Sequence, residues 1–376
     1  MAAEGNSMLR PRDAADVAEI VRAHPRALEP MGGGSKRSIG RPVDADPLDL
    51  AALSGITEYE PAELVLTARA ATPIPAIREA LAANGQRLAF EPPDFAALLH
   101  GDGVPTLGGV LSANVSGSRR VSAGAARDHF LGCRAVAGSG EEFRAGGKVV
   151  KNVTGYDLPK LLAGSWGTLA VLTEVTVRVA PAPETETTLV IEADDAANAV
   201  EMLTAALASS HDVSAAAYDP ARGCLLRLEG FGPSVAARAA GVLEALRPPG
   251  VERLDAVASS ALWSDLGSAA ALAERPFVWR IGVPPSDAPR VLDAIAPRQF
   301  LLDWGGGLIW AALDELDVGR VRGALPTGHA TLWKAPVAER SAAAVFQPQP
   351  AGVAAIAARV RAALDPAGKL NPGRMA

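Results

Sequence analysis

The sequence predicts an α+β protein with a mixed first domain over residues 1–182 and a ferredoxin-like α+β second domain over 183–345, followed by a C-terminal segment, 346–376. Three observations carry this. Leu169-Ala-Val-Leu-Thr-Glu-Val-Thr-Val-Arg-Val179 is rich in β-branched residues and is the clearest strand in the chain. Pro181, Pro183 and the polar stretch Glu184–Thr188 then mark a boundary. Beyond it, helical patterns alternate with pairs of strands, an order that suits an antiparallel sheet covered by helices.

Taken in order, the first helix is expected at 13–25, with Asp13 as its N-cap and Val17, Ile20 and Val21 on one side. Leu28 enters a short strand that ends in a glycine turn, and Leu48, Leu50 and Leu53 form a further apolar segment. Leu64–Arg69 reads as a strand between Pro61 and Pro73. Residues 75–84 suit a helix closed by Asn84-Gly85, and Arg87–Glu91 a following strand. Residues 92–128 are loop-rich and dense in small residues. Phe130–Ala137 and the segment from Glu142 onward form a hairpin turning at Gly138-Ser-Gly140, and 158–163 a helical turn.

In the second domain, strand 188–192, helix 195–209, strands 213–218 and 224–230 and helix 233–246 form one set. Strand 277–283, helix 286–296, strands 299–303 and 307–312, helix 314–323 and strand 330–334 form another. Residues 336–350 read as a Pro/Gln-containing linker and 351–364 as a last helix.

Composition removes several function classes. The length of 376 residues suits two or three domains at about 100–200 residues each. The net charge of -6 is spread along the chain with no Lys/Arg block, which sets nucleic-acid binding aside. Cys133 and Cys224 cannot supply the thiolates of an iron–sulfur cluster and show no disulfide framework, as expected in a reducing cytoplasm. The five histidines, His24, His100, His129, His211 and His329, have no close metal-ligand spacing, so no metal site is expected. The N-terminal residues lack an apolar signal core, and no apolar run approaches the ~18 residues needed to span a bilayer. Membrane association would therefore require a partner.

Three motifs could carry chemistry. In Pro30-Met-Gly-Gly-Gly-Ser-Lys36 the glycines permit positive φ and close approach, and successive N–H groups can cradle an anion. Taken alone it reads equally as a tight structural turn, and it lacks the order of a Walker loop. Gly103–Arg120 places Gly108-Gly109 and Ser116-Gly117 around small side chains, which suits a ligand lying against main chain or a helix packed tightly on the core. Residues 147–158 and Ala163-Gly-Ser-Trp-Gly-Thr168 set polar groups and glycines just before the long strand. Gly138-Ser-Gly140 is not a dinucleotide fingerprint, since Glu141-Glu-Phe143 follows it.

Together, the order and spacing of these motifs resemble the FAD-binding domain of the vanillyl-alcohol-oxidase, or PCMH-type, flavoproteins, which include D-lactate dehydrogenases and glycolate oxidase. The resemblance covers roughly residues 10–180 and the last dozen, through PMGGGSK, ITEYEPAELVLTARAATPI, FEPPDF, PTLGGVLSANVSGSRR, GAARDHFLGCRAV, KVVKNVTGYDLPKLLAGSWGTLAVLTEVTVRV and LDPAGKLNPGRM. It implies a two-part FAD domain, a cap domain, and a C-terminal segment that returns to the cofactor. By that likeness Gly32, Gly33, Gly34, Ser35, Thr106, Gly108, Gly109, Ser116 and Gly117 hold the FAD pyrophosphate. Gly167, Thr173, Glu174 and Val175 lie on the adenosine side, Gly124, Arg127 and Asp128 form a turn near the flavin, and Asn371 sits in the returning tail. Some members attach FAD through a His in the first loop; this loop has none, so dissociable FAD is expected.

Within that family, catalytic D-2-hydroxyacid enzymes carry close histidines in the cap, whereas this cap has only His211 and His329. Gly164-Ser-Trp-Gly167 and Lys151-Asn-Val-Thr-Gly-Tyr-Asp157 are similar to the accessory FAD subunits of bacterial glycolate oxidases. That likeness implies a larger related flavoprotein subunit and an iron–sulfur subunit as partners, with a small 2-hydroxyacid as substrate. The alternatives are an autonomous FAD-dependent D-2-hydroxyacid dehydrogenase and a non-catalytic flavin-fold scaffold. Such oxidation needs a base and cations for the carboxylate. His329 with Lys334 is the best local candidate, set against a plain cap strand with a solvated Lys. Trp263, Trp279, Trp304, Trp310 and Trp333 read as core or interface anchors.

Overall fold

The computed structural model describes residues 8–148 and 155–376. The Lys151-Asn-Val-Thr part of the third motif lies outside these residues. Helix Ala14–Ala23 is capped by the Asp13 carboxylate, which accepts from the Asp16 N–H at 2.9 Å, and it buries Val17, Ala18 and Val21. Strands β1 (Leu28–Met31) and β2 (Asp46–Asp49) pair in parallel. β3 (Ile56–Glu60) and β4 (Val65–Arg69) form a hairpin. The short β5 (Gln86–Arg87) waits for a distant partner, and β6 (Phe130–Ala137) pairs with β7 (Glu142–Gly146). β8 (Ala170–Arg178) is central to a sheet of order β3-β4-β8-β6-β7, and β9 (Ala180–Pro181) closes on β5. The β-branched run thus becomes the strand that is paired on both edges and buried along both faces.

The cap is one antiparallel sheet made from two copies of a βαββαβ unit. The first copy contains β10 (Thr185–Ile191), β11 (Ala215–Asp219), β12 (Gly223–Gly230) and β13 (Glu252–Leu254). The second contains β14 (Phe277–Gly282), β15 (Gln299–Asp303), β16 (Leu308–Leu313) and β17 (His329–Lys334). The eight-stranded order β13-β10-β12-β11-β15-β16-β14-β17 repeats the ferredoxin-like order in mirror sequence; the two half-sheets join through one ladder pair, Tyr218 with Leu302, above a shared core. Helices Ala196–Ala208, Gly232–Leu246, Ala288–Ile295 and Val318–Gly323 cover one face around Trp279, Leu226 and Ile309. The other face is treated differently in each copy. In the first it is covered by helix Ala256–Gly267 through Leu262, Trp263 and Leu266. In the second it packs on the first domain through Val278, Leu301, Leu308, Trp310 and Trp333.

Several expectations are corrected here. Residues 252–267, which carry no clear sequence period, form β13 and the covering helix, capped by Asp255. Arg87–Glu91 does not continue as a strand, because Glu91 turns at φ 43° to meet the cap. Residues 92–128 contain four short helices, Ala96–Leu99, Leu107–Ala113, Arg120–Ala123 and Ala126–His129. The segment read as a linker contains helix Val337–Ala342 and the fully buried Val345, whose carbonyl accepts from the Leu332 N–H at 2.9 Å.

Charge fixes the cap on the first domain. Arg227 of β12 reaches Glu91 at 2.8 Å and Glu229 at 3.0 Å, while Arg87 and Arg119 bind Glu229 from the other side. Arg227 and Glu229 are buried, so each needs the other's charge to offset its lost hydration. The tail returns to the first domain: Leu370 bridges Leu28 in parallel, and Lys369 Nζ donates to the last carbonyls of the first helix region, Val21, Arg22 and His24.

Candidate functional site

A cleft opens where β1, helix Leu107–Ala113, the start of β8 and the tail converge. The glycine turn after β1 forms one wall. A Cβ on Gly33 would stand 1.9 Å from the Val104 carbonyl oxygen, so only glycine lets these two segments meet. Gly34 follows at φ 72°, with open space before it. The opposite wall is helix Leu107–Ala113, where Gly108 packs so closely on Ala70 that a Cβ would lie 2.7 Å from the Ala70 Cβ. The segment is therefore both a packed helix and a cleft wall.

The lining is cationic. Lys36 is buried, its Nζ donates to Ser35 Oγ at 3.1 Å, and among the described residues no carboxylate lies within ion-pair distance of it. Burial pushes its pKa down to about 8, with Asp94 opposing the shift. Glu29 holds two further cations in place, accepting from Arg37 at 2.7 Å and from Arg374 at 3.1 Å. The Asn371 amide donates to the Trp166 carbonyl at 3.0 Å, and its Oδ1 is buried without a partner among the described residues.

Of the residues singled out in the sequence, Gly32, Gly33, Gly34, Ser35, Thr106, Gly108, Gly109, Gly167 and Asn371 line this cleft. The others lie elsewhere. Thr173, Glu174 and Val175 are inside β8, whose edges are both occupied by β4 and β6, and the cleft instead meets Ala170, Val171 and Leu172. Ser116 Oγ accepts from the Ala126 N–H at 2.8 Å, and the Gly117 carbonyl accepts from Trp304 Nε1 at 3.1 Å. The Arg127 N–H donates to Asn114 Oδ1 at 3.0 Å, and Asp128, beside Gly124, accepts from the Ala125 N–H at 2.9 Å. These five build a self-satisfied turn against the cap. Lys36, Arg37, Arg374, Ser112 and Trp166 line the cleft without having been singled out as cofactor ligands, although all but Arg37 stand inside the motifs PMGGGSK, PTLGGVLSANVSGSRR, AGSWGT and LNPGRM.

His329 and Lys334 do not form a pair. They stand at opposite ends of β17, His329 opposite Gly282 and Lys334 opposite Val278, and a bulge between them interrupts the strand alternation. Lys334 Nζ is held by the Ala273 carbonyl oxygen. His329 packs against Gly282 on the face that carries Arg280. Crowding by protein, then the charges of Arg280 and Arg120, hold its imidazole below the ordinary value, although one edge of the residue meets solvent. Between this face and the cleft lies an aromatic cluster: Trp333 meets Trp166 at 6.0 Å, Trp310 at 5.5 Å and Phe95 at 5.2 Å between ring centroids.

A family profile described as FAD binding domain matches residues 6–146. The chain is 35% identical over 354 residues to the glycolate oxidase subunit GlcE of Escherichia coli K12, covering 92% of this chain and 91% of that one. It is 37% identical over 132 residues to the glycolate oxidase subunit GlcD of Bacillus subtilis 168, covering 35% of this chain and 26% of that one. Among solved structures, an alkyldihydroxyacetonephosphate synthase superposes with a TM-score of 0.69 over 97% of this chain and 76% of that one at 17% identity, which shows the shared fold.

The fold and the glycine-walled cleft define an FAD-binding flavoprotein, an oxidoreductase of the PCMH type. Within that class the chain belongs to the glycolate oxidase subunit GlcE family. The cleft suits the cofactor chemically: Lys36 supplies a buried positive charge for a diphosphate, the main chain of Gly32–Ser35 is bare of side-chain bulk, and Asn371 Oδ1 is an acceptor in need of a donor. Among the described residues, no helix is long and apolar enough to cross a membrane.

Proposed function

We propose that this chain is the FAD-binding subunit of a multi-subunit 2-hydroxyacid oxidase that converts glycolate to glyoxylate. A larger related flavoprotein subunit and an iron–sulfur subunit complete the assembly, electrons leave through the iron–sulfur chain, and any membrane attachment of this cytoplasmic complex arises through those partners. The observation that carries this reading is similarity to GlcE along almost the whole of both chains, cap included. FAD, when bound, accepts the hydride of the substrate carbon while the hydroxyl proton leaves to a base.

The residues of this chain bind and orient. Gly32, Gly33, Gly34 and Ser35 with Thr106, Gly108 and Gly109 cradle the diphosphate, Lys36 neutralises it, and Gly167 and Asn371 close the cleft from the tail side. No histidine stands in the glycine loop, and the cofactor is held without a covalent bond.

The test is purification of the chain alone and with its two partners. FAD should be released on denaturation of the chain alone, and glycolate should reduce an artificial electron acceptor only when the partners are present. Absence of bound FAD overturns the reading; turnover by the isolated chain replaces it with an autonomous dehydrogenase.

A further inference from the structure

The seam between the domains holds two kinds of arginine. Arg87, Arg119 and Arg227 are all paired with carboxylates. Arg120, from the turn of the first domain, and Arg280, from β14 of the cap, are different. Their guanidinium carbons lie over the same Trp304 ring, at 4.4 and 5.0 Å from its centroid. Among the described residues neither side chain makes a hydrogen bond or an ion pair. Arg280 is further enclosed by Trp310 and Trp333, at 5.8 and 5.4 Å. Their indole N–H groups are buried without acceptors. Asp128 acts on Arg120 and Asp303 on Arg280, but both are engaged elsewhere: Asp128 accepts from the Ala125 N–H at 2.9 Å, and Asp303 from Ser118 Oγ and the Trp304 N–H, each at 2.7 Å.

A half-buried guanidinium without a direct ion-pair partner is costly, and two converging on one indole repel each other. Burial, followed by the charge of Arg120, pushes Arg280 down to about 10. The place therefore has an excess of donors and lacks acceptors. His329, exposed at the edge strand β17, stands within reach of both guanidinium charges. Guanidinium groups meet carboxylates as planar forks, and a flat aromatic wall admits a flat anion.

We propose that Arg120 and Arg280, one from each domain, form a binding site for the carboxylate of a small 2-hydroxyacid, with His329 at its mouth. This deepens the function proposed above and rests on it for the substrate class. Because the two arginines come from different domains, the site exists only while the cap is docked.

The test uses the FAD-loaded chain and titrates it with oxalate, a planar acid that cannot be oxidised by hydride loss, following tryptophan fluorescence from Trp304, Trp310 and Trp333. Oxalate should quench saturably, and Arg120→Gln and Arg280→Gln should each weaken its binding at least tenfold with FAD content unchanged. Arg290→Gln, remote on helix Ala288–Ile295, should leave it unaltered. If Arg280→Gln fails to fold, Arg120→Gln and Arg280→Lys carry the test, the latter with an intermediate loss. Unchanged oxalate affinity in the folded variants overturns the proposal, as does no oxalate binding to the wild type or equal binding of inorganic phosphate. Oxalate binding without glycolate turnover in the complex would leave this site standing while the substrate of the function proposed above fell. Turnover in the complex that is indifferent to both substitutions would do the reverse.

Discussion

The Asn371 side-chain amide donates to the Trp166 carbonyl across 205 residues of sequence, at 3.0 Å. This bond ties the returning tail to the turn that leads into β8, where the cleft floor begins. Removing it by Asn371→Ala costs about 1 kcal/mol, and the loss falls on the cleft. The expected result is FAD retention several-fold weaker, read from cofactor content after gel filtration, with a small fall in melting temperature.

Gly33→Ala would place a methyl 1.9 Å from the Val104 carbonyl oxygen, a main-chain atom that cannot swing away. The two cleft walls must part. Destabilisation of about 1–3 kcal/mol is expected, together with loss of FAD. Gly55 sits at φ 118° and a Cβ there meets nothing within 4 Å, so Gly55→Ala should lose stability without losing cofactor preferentially.

Lys36 gives FAD binding a pH dependence of defined sign. Its pKa is lowered to about 8 without ligand, and a bound diphosphate would raise it. Below pH 8 the ammonium is already present, and affinity is level. Above pH 8 binding must take up a proton, and affinity falls, by about tenfold per pH unit at most. For the apo chain the sign is opposite, since a lowered lysine pKa adds stability as pH rises from about 8 towards the ordinary 10.5. Lys36→Met should flatten both curves, measured by flavin fluorescence titration and urea unfolding.

Arg227→Ala would leave the half-buried Glu91 and the buried Glu229 without their central cation, with only Arg87 and Arg119 beside them. Breaking such a network costs about 3–5 kcal/mol, and urea unfolding should lose its cooperativity as the cap separates first. Glu91 already has its pKa raised by burial, with Arg227 opposing the shift. Its protonation would relieve the variant, so the defect should shrink as pH falls.

The cleft was legible in the sequence where main chain makes it. Consecutive glycines at Gly32–Gly34 and the pair Gly108-Gly109 advertise close approach, and the Asn-Pro-Gly tail after Leu370 stands out from a helix. Side chains that depend on tertiary pairing were not legible. Arg120 and Arg280 are remote in sequence and meet on one indole only after the cap docks. His329 and Lys334 looked adjacent in sequence, yet they sit at opposite ends of β17. Helix Ala256–Gly267 has apolar residues on most of its circumference, from exposed Val257 to buried Trp263, so no period announced it.

The cap repeats one motif twice, and the repeats have diverged in what they do with a single sheet face. The first keeps a private helix over that face and uses its rim, Arg227 and Glu229, as a fastener. The second turns the same face to the first domain, with Arg280, Trp310 and Trp333 in the seam. The charged fastener and the paired arginine–indole seam thus reside in separate copies, which share one core beneath their helices. Such a division leaves residues 277–334 open to retuning for a different acid without loosening the hold of 185–254 on the flavin domain.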